Sequence, residues 1–162
     1  MSILYFDGFL GLHIVLALLW IAGSFIGLRA LLRLSKQPGD VISVKRARVS
    51  QILVSAVGGL TVLIGAGFYY YINIYRTAYA TSSSGLPLVD TGAVLGLIAF
   101  AWQMAQGSRI RNYLKAAITK SVTGSEGTVT QPTTALPKRW MLIAPPILLL
   151  FAFVLMIGGS MM

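Results

Sequence analysis

His13 is the single histidine of this 162-residue chain, and it sits inside a long apolar run. A neutral imidazole in that setting has two uses: ligating haem iron or another metal, or bonding to a neighbouring helix. Ionisable side chains within apolar spans are costly, so both uses need a partner. The rest of the reactive inventory is short. The chain has no cysteine, which excludes disulfides, thiolate metal sites and cysteine nucleophiles. Its four acids, Asp7, Asp40, Asp90 and Glu126, all fall at the ends of apolar runs or between them. Proton-coupled carriers keep ionisable groups at membrane depth, so this placement argues against a transporter, as does the lack of an inverted repeat.

The elements that must position His13 follow from composition. The chain is 56% hydrophobic and 10% charged, against about 25% charged in an ordinary soluble domain. A membrane-spanning helix needs about 20 mainly apolar residues. Four stretches meet this, at about 9–32, 51–74, 88–106 and 140–157, which predicts an all-α integral membrane four-helix bundle in one domain. Pro38-Gly39-Asp40 marks the first turn, and Pro145-Pro146 falls in the first turns of the last helix. Ile110, Leu114 and Ile118 recur among Arg109, Arg111 and Lys115, extending the third helix amphipathically to about 118. The Ser-, Thr- and Gly-rich stretch 121–134 reads as a loop. Bases follow the first apolar run instead of preceding it, the pattern of a span and not of a cleaved leader.

The thirteen Lys and Arg residues are divided unevenly. Six (Arg29, Arg33, Lys36, Lys45, Arg46, Arg48) surround the first connection, and six (Arg109, Arg111, Lys115, Lys120, Lys138, Arg139) the third. Arg76 alone lies in the second. By the positive-inside rule, the first and third loops are expected in the cytoplasm of a cell-membrane protein, with both termini outside. The bases flank apolar spans and form no groove of readers, which excludes nucleic acid as the partner. Tyr5, Phe6, Tyr69, Tyr70, Tyr71, Tyr75 and Tyr79 gather at the opposite end as an expected aromatic belt. Small residues recur at helical spacing: Gly23 and Gly27, Ser55 and Gly59 with Gly65 and Gly67, and Gly92 and Gly96. They let backbones approach closely or make room for a flat ligand. His13, Ala17, Trp20, Ser24 and Gly27 form one stripe, the least lipid-like face of the first helix, expected to look into the bundle.

From His13 the chain reads HIVLALLWIAGSFIGLRALL. His13, Trp20, Ala22, Gly23, Phe25 and Arg29 resemble the first helix of the small four-helix membrane proteins that include HemJ-type protoporphyrinogen oxidases and the CopD copper-resistance domain. Arg139 and Pro145 echo an arginine and proline six apart in the fourth helix. Leu142 and Ile143 stand where HemJ has an Asn-Glu pair, and Trp102-Gln103-Met104 lacks its third-helix lysine. The resemblance implies a b-type haem in the outer half of the bundle, with His13 as axial ligand and Trp20 beside it. Met156 matches His13 in depth as a second ligand, better than Met104, although methionine is more often an apolar filler. Arg76, with Tyr69 to Tyr71, is available to the propionates. The departures turn the expectation from the oxidase reaction to haem association in redox or metal physiology. The alternative is a non-catalytic accessory subunit of a larger membrane complex of respiratory type, or a homo-oligomer, joined through its glycine-rich faces.

Overall fold

The computed structural model describes residues 3–37, 40–74, 86–123 and 136–160, and these form four helices with no strand among them. They are α1 (Ile3–Lys36), α2 (Val41–Ile74), α3 (Leu86–Thr123) and α4 (Arg139–Ser160). Each contains an apolar run long enough to cross a bilayer: Leu10–Lys36, Val41–Gly67, Leu88–Ala116 and Arg139–Gly158. Large apolar side chains such as Leu18, Ile26, Leu63, Phe151 and Val154 point outward, as lipid-facing positions do and a water-soluble surface does not. The chain is a multi-pass, all-α membrane protein.

The helices form a ring. α1 packs along α2 and α3 along α4, while slighter α2–α3 and α1–α4 contacts close it. Glycine makes the α1–α2 seam tight. A Cβ at Gly65 would lie 2.9 Å from His13 Cε1, one at Gly58 would lie 2.8 Å from Trp20 Cε2, and one at Gly27 would strike the Ser50 hydroxyl. Successive contacts on α1, at 13, 20 and 27, are seven residues apart, the repeat of knobs-into-holes packing. Ser50 Oγ donates to the Gly23 carbonyl at 2.7 Å across the seam, which the missing side chain permits. The small-residue stripe of α1 therefore faces α2.

At about 1.5 Å per residue, α1 and α2 are each about 51 Å long and exceed a hydrocarbon core of about 30 Å. The helices stay packed through the basic end. There Leu31, Leu34, Val44, Ala47, Ile110, Leu114 and Leu142 form a buried cluster shared by all four helices. The apolar count starts the second span at about 51; the structure has helix from Val41, and the reason is local. Asp40 Oδ1 accepts the Ile42 and Ser43 N–H groups at 3.1 and 3.3 Å, while Ser43 Oγ donates to Oδ2 at 2.6 Å. That is an N-cap satisfying free helix donors. Ser43, Val44, Ala47, Ser50 and Val54 then form one buried stripe, leaving Lys45, Arg46 and Arg48 outside. The Ser43 hydroxyl, chiefly, holds the Asp40 carboxyl below the usual carboxylate range. The Ser43 and Ile42 N–H groups and Arg33 act in the same direction.

Candidate functional site

Trp20 is the centre of the bundle. Its indole is 3% exposed, lies over Gly58 of α2 and meets Phe100 of α3 edge-to-face at 5.8 Å. Trp20 Nε1–H donates to Gln103 Oε1 at 2.8 Å. Gln103 Nε2 donates to Ser24 Oγ at 2.9 Å, and Ser24 Oγ–H donates back to the Trp20 carbonyl at 2.8 Å. These bonds form a closed circuit between diagonal helices whose backbones do not approach each other closely. Each member has its partner, as polar groups at membrane depth require.

One turn nearer the basic end, Gln106 does a second job. Pro145 has no N–H, so the Met141 carbonyl four residues earlier loses its helical donor. Gln106 Nε2 donates to that carbonyl at 2.9 Å. A glutamine of α3 thus replaces the bond that proline removes from α4. By the same geometry Pro146 deprives the Leu142 carbonyl of a helical donor. Around these groups lies a space of about 40 Å³ lined from all four helices, with Ser24, Ser50, Gln51, Gln103 and Gln106 its polar walls and Pro145 among the rest. That volume holds roughly three or four waters at 10–15 Å³ each. None of its lining side chains titrates, so this site can bind water and lock helices together but offers no general acid or base.

His13 lies 11 residues before Ser24, about 16 Å along α1. Its ring is packed against Gly65, close to the Thr61 backbone. Among the described residues, the enclosed Nδ1 has no hydrogen-bond partner. Met156 packs elsewhere: a Cβ at Gly92 of α3 would lie 2.7 Å from its Cγ. The structure sets His13 on the α1–α2 seam and Met156 on the α3–α4 seam. Trp20 lies two turns from His13 and spends its one donor on Gln103. Arg76, Tyr75 and Tyr79 lie outside the described residues. Met104 is exposed on α3. No group of three or more His, Cys, Asp or Glu side chains gathers among the described residues.

No family model, curated protein or solved structure matches the chain. Its chemistry is therefore read from the residues themselves. Gln103 and Gln106 are not singled out by the apolar count, though the sequence carries a signal for them. Ala99, Gln103, Gln106 and Ile110 are spaced as one helical face, and polar side chains on such a face turn into a bundle.

Proposed function

We propose that the chain is a non-catalytic membrane subunit that acts through its outer surfaces within a larger membrane assembly, with its basic end in the cytoplasm. The observation that carries this reading is the closed centre. Trp20 occupies the middle of the bundle, and the space lined by all four helices accepts a few waters and no organic substrate. Function is then left to the outside of the bundle. Gly23, Gly27, Gly58, Gly65 and Gly92 are already used in internal packing, so the partner contacts are assigned to outward apolar positions, not to the glycine stripes. The exposed α3 row Val94, Leu97, Ile98 and Met104 is one such surface.

The test is purification of the tagged chain from its native membrane in mild detergent. Migration with other membrane subunits at fixed stoichiometry, lost on replacing Leu97 and Ile98 by serine, is the expected result. A chain that migrates alone, at its own mass plus detergent, overturns the reading.

A specific observation favours a second reading. The Nδ1 of His13, unpartnered among the described residues, is a buried nitrogen with spare ligating capacity, and such groups call for an explanation. A b-type haem or a metal ion taken up at His13 would supply the missing partner, but only if α1 moves off Gly65 to admit it. Haem-supplied membranes should then show a Soret band that His13→Ala abolishes. Colourless protein leaves His13 as a packing residue of the seam.

A further inference from the structure

A groove of about 290 Å³ runs along the outside of the α1–α2 seam, lined by Gly23, Ile26, Lys45, Arg46, Val49, Ser50 and Leu53. We infer that it is a binding site for an anionic glycerophospholipid, with one acyl chain along Ile26, Val49 and Leu53 and the phosphate between Lys45 and Arg46. The shape fits this occupant. From Lys45 to Leu53 the groove extends about 12 Å along α2 at 1.5 Å per residue, and it opens sideways to the bilayer. Its floor is apolar because Gly23 has no side chain and because the Ser50 hydroxyl is committed to the Gly23 carbonyl.

Charge selects the headgroup. Lys45 and Arg46 line the groove with their apolar stems and lie exposed near Val41, where the apolar run of α2 begins, and no acidic residue lines the groove. The acid closest in sequence, Asp40, is held by Ser43 in the α2 cap. A zwitterionic headgroup would bring its own cation to this pair, whereas an anionic one brings only the phosphate. This separates the groove from the general attraction of a basic membrane protein for anionic leaflets, because it joins a chain-shaped slot to one particular pair of bases.

The test is lipid titration of the purified protein in neutral detergent, read by native mass spectrometry. Dioleoyl phosphatidylglycerol, dioleoyl phosphatidylcholine and glycerol 3-phosphate are the probes. A basic side chain near an anionic headgroup gives about a fivefold preference, so two predict roughly 25-fold tighter binding of phosphatidylglycerol than phosphatidylcholine. Lys45→Gln with Arg46→Gln should reduce that ratio to near one. Val49→Trp, at an exposed position and without change of charge, should weaken phosphatidylglycerol binding by filling the slot. Arg109→Gln with Arg111→Gln removes two charges from the same end of the bundle and should leave the ratio intact. Three results would overturn the inference: equal loss in the two charge pairs, no effect of Val49→Trp, or displacement of phosphatidylglycerol by glycerol 3-phosphate.

Discussion

Gln106→Leu should destabilise the bundle, and most of that loss should disappear when Pro145 is also replaced by alanine. In the native protein the Met141 carbonyl accepts from Gln106 Nε2 at 2.9 Å because Pro145 has no N–H to give. Leucine fills much of the same volume but donates nothing, which strands the carbonyl beside an apolar wall. An unsatisfied buried carbonyl costs about 1–3 kcal/mol in water-soluble proteins. Hydrogen bonds between membrane helices measure lower, about 0.6 kcal/mol on average and up to about 1.7 kcal/mol. The partner here is a helix carbonyl with no helical donor, so about 1–2 kcal/mol is expected. Pro145→Ala would restore the N–H and with it the internal bond of α4, making Gln106 dispensable. The coupling energy of the cycle should then equal most of the single-variant loss. Reversible unfolding from dodecyl maltoside into sodium dodecyl sulfate, followed by circular dichroism, measures all four corners. Independent sites add within about 0.3–0.5 kcal/mol. A coupling below that, with Gln106→Leu equally costly in both backgrounds, would refute the account of how α3 repairs α4.

Trp20→Phe keeps most of the ring but leaves Gln103 Oε1 without a donor, so it should cost about 1–2 kcal/mol in the same assay. Trp102→Phe should cost less, because that indole is half-buried in an edge-to-face pair with exposed Trp140. Gly27→Ala should displace the Ser50 hydroxyl from the Gly23 carbonyl and lower the melting temperature in detergent; Ser50→Ala in the same chain should recover part of that loss. The Asp40 carboxyl is more acidic folded than unfolded. Its contribution is therefore fully present above the usual carboxylate range and is lost as pH falls towards the depressed folded value. Asp40→Asn should flatten that acid limb in a melting-temperature series against pH. Ser83→Cys should react with an impermeant thiol reagent from outside intact cells and Ser125→Cys should not; the reverse pattern would invert the assigned orientation.

Four membrane-crossing helices were legible in the sequence because the bilayer imposes a length and a composition that a run of residues meets or does not meet. The inward face of α1 was legible for a related reason: His13, Trp20, Ser24 and Gly27 are poor lipid neighbours that recur at helical spacing. Helix ends were less legible. The apolar count stops near Gln51, but a capping carboxylate at Asp40 and a buried Ser43–Val44–Ala47–Ser50 stripe carry α2 ten residues further, through the bases Lys45, Arg46 and Arg48. Pairing between helices was not legible at all. Whether Trp20 looks at a ligand or at Gln103, 83 positions along, depends on the relative rotation and height of α1 and α3, which no local pattern encodes. The same holds for Gln106 and Met141, whose bond exists because two helices place a spare amide beside a carbonyl that proline has orphaned. It holds equally for His13 and Met156, alike in depth by residue count, which the ring of helices sets on opposite seams. Depth is a property of one helix in one bilayer and can be counted along the chain, whereas azimuth is fixed only when all four helices pack.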